Sequence, residues 1–497
     1  YAAASGRTAF VNLHIETGLA NGISLLHHAW AEGRETPIVV TSGNKDVRKL
    51  AEGRTELSEM VRLFTKWSVE VTHPEQVPGV MRRAFTEAKT PPAGPVYVGF
   101  SANALDDEAD VDIQPSSAVY SKHGADPAGV AAAVRILADA QRPIMVVGDR
   151  LGRSGGTKAA VRLAELSGAR VYAASYAVMN FPTSHPQYMG RINMGVPAGR
   201  VTLSQSDVVM AVGTNVFEGF FYFSGPSVGP GTRLIHLDST PSEVGKSEPT
   251  DVGIIADPQA ALGQICDALD GSMSGAAREA ARGRSASATA ARAEIKSQWD
   301  RDLKAGWNAR PMSAARMMNE LAGSLPVDAI VADDSITSRD ALHDAIEFNE
   351  PGSIYASSNF GAIGWGMGGA LGVKLSNLDR PVIGIVGDGS AMMTVQGLWT
   401  AAAYNIPVVY VICNNRSYRI LKLNMNRYKS YILGETQPSS RYIGMDFPQP
   451  FDMAAIANAM GVYGRKVEDP EDLGRALKKA LESGKPALLD VVIDGSV

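Results

Sequence analysis

The sequence predicts an α/β protein made of three doubly wound parallel-sheet domains. Short apolar runs of strand length alternate with segments of helical apolar spacing along all 497 residues. The clearest unit spans 382–420, where a buried strand, a tight acidic turn, a helix and a second buried strand follow one another. A chain of this length is expected to form about three domains.

Composition and charge exclude several classes of protein. The chain is 45% hydrophobic and 20% charged, as in ordinary globular proteins, and its net charge of -5 offers no basic surface for nucleic acid. No apolar run approaches the ~18 residues that a membrane span needs. Cys266 and Cys413 both stand in apolar segments, which predicts buried free thiols in a reducing cytoplasm. Because a strand pattern starts almost directly after Tyr1, we expect part of the first domain to precede it.

The elements follow in order along each block. The first block is expected to contain strands at 9–13, 37–41 and 96–100, helices at 18–30, 48–67 and 80–88, and an acidic loop at 103–117. The second should have strands at 144–147, 170–174, 208–212 and 233–237, a helix at 155–167, and a linker at 271–291 leading into a helix through Trp299. The third should have helices at 313–321 and 450–460, strands at 329–332, 382–386, 408–413 and 487–493, and a glycine-rich stretch at 361–372.

Polar residues follow both strands of the 382–420 unit. Asp388 lies in the turn Gly387-Asp-Gly-Ser390, and Asn415 follows the second strand. Ligands of open α/β sheets bind at this edge, and the glycines allow a phosphate to approach the backbone. With a main-chain carbonyl near Ser417, the Asp388 and Asn415 oxygens suit Mg²⁺. The alternative is an ordinary turn in which Asp388 only caps a helix.

With these residues in place, the chain resembles the thiamine diphosphate (ThDP)-dependent 2-oxo acid decarboxylases and lyases, most closely the benzoylformate decarboxylase type. The resemblance runs from YAAASGRTAFVNLH through KWSVEV and GPVYV to GDGS and YNIPVVYVICNN. It implies ThDP and Mg²⁺ as cofactors, and a pyrimidine-binding domain at 1–118, a middle domain at 119–290 and a diphosphate-binding domain at 291–497. It also implies a homodimer or homotetramer with active sites at the subunit interface, and a cofactor-activating glutamate upstream of Tyr1.

The resemblance assigns cofactor roles residue by residue. Ile363 would support the thiazolium ring from below. Asp388, Asn415 and Ser417 would bind the metal. The full set of cofactor contacts implied is Asn21, Gly361, Ile363, Gly387, Asp388, Gly389, Ser390, Met393, Asn415, Ser417, Tyr418 and Ile420. Two other interpretations of the glycines at 364–372 are a closely packed helix and, less well supported, a dinucleotide fingerprint that lacks its acidic strand end.

Catalytic and substrate residues follow from the same resemblance. His14 would transfer a proton to or from the reaction intermediate, and Glu16 is a second acid/base candidate. Phe220 stands where benzoylformate decarboxylases have a second histidine. Phe220, Phe221 and Leu421 are expected in the substrate pocket, since the aromatic run at 217–223 suits an apolar substrate.

The leading prediction is a ThDP-dependent carbon–carbon lyase that decarboxylates an aromatic or branched 2-oxo acid to an aldehyde. A second candidate is a 2-hydroxyacyl-CoA lyase or oxalyl-CoA decarboxylase, in which the loop at 148–156 would bind CoA or ADP through Arg150 or Arg153. That loop is equally consistent with a vestigial glycine turn. A third is an acetolactate-synthase-like carboligase, with or without flavin in a flavoprotein-like fold. Retention of Asp388, Asn415 and Ile363 argues against a non-catalytic scaffold.

Overall fold

The computed structural model describes residues 1–30, 35–52, 55–116, 118–215, 219–357 and 361–497. The chain packs into two compact units, the first formed by 1–122 with 358–362 and the second by 123–357 with 363–497. Together they contain three parallel sheets flanked by helices, so the predicted α/β class is confirmed. Within the described ranges, no helix combines the length and apolar character needed to cross a membrane.

The first unit is built on a four-stranded parallel sheet of order β1-β2-β4-β3. Its strands are β1 (Ala9–Leu13), β2 (Ile38–Asn44), β3 (Trp67–Val71) and β4 (Pro95–Ser101). Its α-helices are α1 (Ala2–Ser5), α2 (Ile15–Trp30), α3 (Leu57–Met60), α4 (Val77–Lys89) and α5 (Ala102–Asp106). Strand β4 is central and nearly all buried, which explains its apolar sequence.

The prediction of a long helix at 48–67 is wrong. The structure has short 3₁₀ turns at Val47–Glu52 and Arg62–Phe64, the single helical turn α3, and then the edge strand β3. In β3 Trp67, Val69 and Val71 belong to the core beneath the sheet. Apolar residues at every second position indicate a strand. Pairing with β4 stabilises that strand here, although the residues before it have helical spacing.

The second unit begins with a six-stranded parallel sheet of order β10-β9-β8-β5-β6-β7. Its strands are β5 (Pro143–Val147), β6 (Arg170–Ala173), β7 (Tyr188–Arg191), β8 (Val208–Val212), β9 (Arg233–Asp238) and β10 (Val252–Ile255). The accompanying helices are α6 (Pro127–Asp139), α7 (Asp149–Ser154), α8 (Thr157–Ser167), α9 (Pro197–Ser204) and α10 (Pro258–Ser272). The strand order reverses between β5 and β8, which is where such sheets form a crevice.

The predicted linker at 271–291 is helical instead. It forms most of α11 (Gly275–Ala305), a helix of 31 residues. Ser274 caps this helix by accepting a hydrogen bond from the Ala277 amide at 3.1 Å. The Ala and Arg residues that suggested low complexity are good helix formers, and Ala281 and Ala288 bury one side of the helix.

The second sheet of this unit is also six-stranded and parallel, with order β12-β11-β13-β14-β16-β15. Its strands are β11 (Ile330–Asp334), β12 (Ile354–Ala356), β13 (Val382–Gly387), β14 (Val408–Asn414), β15 (Tyr463–Val467) and β16 (Ala487–Val492). Its helices are α12 (Ala314–Ala322), α13 (Arg339–Ala345), α14 (Trp365–Ser376), α15 (Asp388–Met393), α16 (Gly397–Ala403), α17 (Arg419–Tyr431), α18 (Met453–Ala459) and α19 (Pro470–Glu482). Strands β13 and β14 are central, and their carboxyl ends form the site described next.

Candidate active site

The carboxyl ends of β13 and β14 bring two predicted site segments together. The strands pair in parallel, with Gly387 opposite Cys413, so Asp388 and Asn415 emerge at the same edge of the sheet. Asp388 Oδ2 accepts a hydrogen bond from the Arg416 amide at 2.7 Å. The turn after one strand is therefore joined directly to the loop after the other.

Asp388 is a buried carboxylate whose two oxygens both accept hydrogen bonds from main-chain amides. Its side chain is 2% exposed, and Oδ1 accepts from the Gly389 amide at 2.8 Å. Burial raises the pKa of Asp388 to about 6, and the nearby Asp490 carboxylate adds to this, while the two amides oppose it. A bound divalent cation would favour the ionised form, so the donor chemistry fits Mg²⁺.

The loop after β14 is held in a specific shape. Arg416 has a φ of +60°, and its carbonyl accepts from the Phe447 amide at 3.0 Å. Asn415 Oδ1 accepts from the Ser417 amide at 3.0 Å, and the Tyr418 amide donates to the Met445 carbonyl at 2.8 Å. These contacts fix the oxygens of the predicted metal set. In the described part of the chain no cluster of three or more His, Cys, Asp or Glu residues is arranged for a metal.

The glycine-rich stretch lies beside the Asp388 turn. Ile363 is 39% exposed, and the amide of the next residue, Gly364, donates to Ser390 Oγ at 2.8 Å. Gly364 has a φ of +100°, and a Cβ there would come within 2.8 Å of Met393 Cβ, so glycine is required. Ile363 and Met393 are both half-exposed and belong to the second unit, whereas Gly361 belongs to the first.

Two functional candidates in this region were missed by the sequence analysis. Asp334, at the end of β11, is fully buried, and its Oδ2 accepts from the Gly366 amide at 2.9 Å. Ile336 follows with a φ of +51°, a strained backbone for a β-branched residue. The adjacent acids Asp333 and Asp334 at a strand end were the available signal, since buried strands seldom end in two carboxylates without a reason.

The predicted acid/base residues lie in the first unit. His14 follows β1 directly, is exposed, and accepts a hydrogen bond through its carbonyl from the Gly18 amide at 2.7 Å. Ile15, at the start of α2, has a φ of +32°, which marks a sharp turn between strand and helix. Glu16 is half-buried in the first turn of α2, and Asn21 is exposed further along it.

The predicted substrate residues lie in the second unit, on a loop and a helix that touch. Phe220 is 63% exposed and meets Phe221 edge to face at 5.1 Å between ring centroids. Phe221 in turn packs on Tyr428 of α17 at 6.0 Å. Leu421, on the same helix, is half-exposed. Phe217, which was part of the predicted aromatic run, lies outside the described residues.

The arginine loop of the middle region is turned inward. Arg150 is 3% exposed, and its Nε lies 2.7 Å from Asp238 Oδ1, while its Nη2 donates to Asn215 Oδ1 at 2.6 Å. A Cβ on Gly148 would lie 2.6 Å from the Gly213 carbonyl oxygen, so the glycine there permits close loop packing. These contacts commit the Arg150 guanidinium to Asp238 and lend no support to a phosphate role. Arg153 is half-buried on α7.

Comparison with known proteins identifies the family of the chain. The family description "Thiamine pyrophosphate enzyme, central domain" matches residues 130–265, and "Thiamine pyrophosphate enzyme, C-terminal TPP binding domain" matches 337–491, together more than half of the chain. A benzoylformate decarboxylase of Pseudomonas aeruginosa is 28% identical, covering 99% of this chain and 88% of its own length.

Two other relatives show the breadth of the similarity. A probable acetolactate synthase large subunit of Methanococcus aeolicus is 25% identical, covering 97% of this chain and 80% of its own length. The solved structure of a thiamine diphosphate-dependent 4-hydroxybenzoylformate decarboxylase of Rhodococcus jostii superposes with a TM-score of 0.84 at 26% identity, covering 99% of this chain and 89% of that one.

Proposed function

The chain belongs to the thiamine pyrophosphate enzymes, and we propose that within them it decarboxylates an aromatic or branched 2-oxo acid to an aldehyde. Decarboxylases of benzoylformate and 4-hydroxybenzoylformate are among the relatives that it matches over nearly its whole length. The exposed aromatic side chains of the loop at 219–223 support an apolar substrate.

The observation that carries the proposal is the contact between the buried Asp388 carboxylate and the Arg416 amide. It joins the two strand ends into one oxygen-lined cradle, in which Asp388, Asn415 and a carbonyl at Ser417 would hold Mg²⁺ and the diphosphate. Bound ThDP supplies a nucleophilic carbon and accepts the electrons that CO₂ leaves behind. The chain's own residues bind and orient that cofactor and move protons.

We also propose cofactor contacts for other residues that the resemblance assigns to this site. Within the second unit, Ile363 would support the thiazolium ring, and the side chains around the turn would enclose the cofactor. These contacts are proposed for Gly387, Gly389, Ser390, Met393, Tyr418 and Ile420. Gly389 suits this place because a Cβ there would lie 2.6 Å from the Tyr418 ring.

Proton transfer is proposed for His14 and Glu16. An imidazole has the pKa range that allows it to donate and accept protons near neutral pH, and the exposed position of His14 leaves it accessible. With Phe220 in place of the second histidine of benzoylformate decarboxylases, the aldehyde-forming proton has to come from another group. Glu16, two residues from His14, is the proposed source.

A carboligase is the second candidate, because probable acetolactate synthases are also matched over nearly the whole chain. Such an enzyme would join the decarboxylated fragment to a second 2-oxo acid instead of releasing an aldehyde. The CoA-dependent alternative is weaker, since the Arg150 guanidinium, which would bind the ADP portion, is paired with Asp238. As in the family, we propose a homodimer or homotetramer.

Product analysis tests these alternatives directly. Full-length protein with ThDP and Mg²⁺ is incubated separately with benzoylformate, pyruvate and a 2-hydroxyacyl-CoA, and CO₂, aldehyde, acetolactate and formyl-CoA are measured. We expect CO₂ and benzaldehyde from benzoylformate. Acetolactate from pyruvate with benzoylformate inert would favour the carboligase, and formyl-CoA from the thioester would favour the CoA lyase. Light scattering on the same sample measures the subunit number.

A further inference from the structure

One carboxylate oxygen gathers three hydrogen-bond donors beside the proposed cofactor site. Asp334 Oδ2 accepts from the Gly364 amide at 3.2 Å and the Gly366 amide at 2.9 Å, and also from Ser390 Oγ. Ser390 lies in the first turn of α15, directly after β13, whereas Gly364 is the N-cap of α14 and Gly366 lies in its first turn. Asp334 therefore connects the diphosphate turn to the segment that carries Ile363.

Gly364 is fixed on both of its peptide groups. Its amide donates to Ser390 Oγ as well as to Asp334, and its carbonyl accepts from Thr394 Oγ1 at 2.5 Å. A residue held at both ends cannot rotate freely, so the backbone of its neighbour Ile363 is held too. Ile363 nonetheless remains half-exposed and available to a ligand.

The buried Arg339 guanidinium forms its ion pair with Asp333, with 2.5 Å between Nε and Oδ2, and donates to Ser357 Oγ at 2.7 Å. Its charge also opposes the rise in the pKa of Asp334. Asp334 faces the first amides of α14, a helix of 12 residues whose amino end favours negative charge. Burial raises the pKa of Asp334, which shows that keeping this carboxylate ionised in the interior costs free energy.

We propose that Asp334 is a positioning residue that sets the distance between Ile363 and the turn from Asp388 to Ser390. It would hold the residue beneath the thiazolium ring in fixed relation to the residues that bind the diphosphate, and so determine whether bound cofactor can be activated. This inference rests on the proposed cofactor site but concerns a residue outside it.

The test separates binding of ThDP from its activation. Asp334→Ala, Asp334→Asn and the wild type are compared for the Kd of ThDP, kcat, and the exchange rate of the cofactor C2 proton with deuterium at saturating ThDP and Mg²⁺. Misplacement by about 1 Å is expected to slow exchange and kcat about 100-fold in Asp334→Ala. The Kd should rise no more than about tenfold, because Asp388 and Asn415 remain to hold the metal and the diphosphate. Asp334→Asn keeps an acceptor oxygen and should recover part of the exchange rate.

A purely structural role predicts a different pattern. It would lower Tm and weaken ThDP binding but leave the exchange rate of the saturated enzyme unchanged, and that result would overturn the inference. If Asp334→Ala does not fold, Asp334→Asn alone decides, and exchange within about twofold of wild type would overturn the inference. Asp340→Ala is the matched control, since this carboxylate of α13 is exposed and should leave exchange unchanged. Failure of wild-type protein to bind ThDP would instead overturn the proposed function.

Discussion

Asp388 combines burial, a raised pKa and contact with the neighbouring loop in one side chain. We predict that Asp388→Ala weakens Mg²⁺-dependent ThDP binding by about 100-fold or more, because the metal loses its one charged ligand from the proposed set. Titration calorimetry with and without Mg²⁺ measures this. Asp379→Ala, an exposed carboxylate in the loop before β13, is the control. Unchanged affinity in Asp388→Ala would contradict the metal assignment.

His14 is expected to act on protons and not on cofactor binding. We predict that His14→Ala lowers kcat by about 10² or more, the usual contribution of a positioned acid or base. The Kd of ThDP should stay the same. His27→Ala serves as the control, because His27 lies on α2, the helix that follows His14, and packs edge to face on Phe64 with 6.1 Å between ring centroids. Equal steady-state rates in His14→Ala and wild type would remove the acid/base role.

At the residue scale, the sequence predicted those site residues whose place in the fold follows from a local pattern. Asp388 and Asn415 were predicted together because each follows a buried strand, and parallel strands end at the same edge. Asp334 was not, because its role depends on the amides of residues about thirty positions away and on Ser390 still further along. Similarly, the inward position of Arg150 depends on Asp238, four strands later in the chain. The local sequence marks Asp333 and Asp334 as unusual at the end of a buried strand, but it does not identify the distant partners of Asp334.

At the element scale, helix α13 carries a buried histidine at its packing interface. His343 meets the Tyr176 ring at 4.8 Å, and burial lowers its pKa to about 3 from an ordinary value near 6.5. Below pH 6.5 His343 is protonated in the unfolded chain but stays neutral in the folded protein. His343 therefore destabilises the fold progressively as the pH falls from 6.5 towards 3. Asp344, whose pKa burial raises to about 6, acts in the opposite direction over about pH 4–6.

We therefore predict that His343→Phe reduces the acid sensitivity of the fold. The unfolding free energy of wild type should fall relative to the variant by up to about 1.4 kcal/mol per pH unit below pH 6.5. Urea denaturation at several pH values between 5 and 8 measures the difference, and subtracting the two curves cancels the contribution of Asp344. Parallel curves would contradict the lowered pKa of His343, because they would show that the folded and unfolded chains bind its proton equally.

The Arg150–Asp238 pair ties α7 to the end of β9. We predict that Asp238→Ala lowers the unfolding free energy by about 3–5 kcal/mol, because it leaves a guanidinium buried without its partner. The double variant Arg150→Met, Asp238→Leu should recover much of that loss. Denaturant melts of all three proteins test this. If Asp238→Ala is as stable as wild type and binds ADP or CoA more weakly, the pair would have to be assigned to a nucleotide site instead.

The sequence predicted an element correctly where its local pattern indicates the same secondary structure as its pairing in the fold. Strands β13 and β14 were predicted almost to the residue, since their apolar runs are buried on both faces. Strand β3 was missed because five residues of alternating pattern follow a region with helical spacing. Only the first part of helix α11, up to residue 291, was missed: its low-complexity composition resembles that of a linker, although Ala-rich sequence is also intrinsically helical.

At the scale of the whole molecule, cofactor binding is expected to stabilise the fold. We predict that ThDP with Mg²⁺, at about 100 times Kd, raises the free energy of unfolding by about 2.7 kcal/mol and Tm by several degrees. Differential scanning fluorimetry measures the shift, and a chelator added afterwards should reverse it if the metal bridges protein and diphosphate. Thiamine without its diphosphate is the matched control. A shift with ThDP that survives the chelator would contradict the metal bridge.

The all-parallel sheets of the second unit also govern how this chain reaches its native state. Parallel neighbours need crossover connections, and β14 pairs with β16 with Val409 opposite Ala487, residues far apart in sequence. Closing such long loops must precede most of the stabilising contacts, which makes folding slow and leaves apolar strands exposed meanwhile. The central strands that position Asp388 and Asn415 are therefore also the segments at greatest risk of aggregation during synthesis. Slow growth at low temperature, or added chaperones, should raise the yield of folded protein.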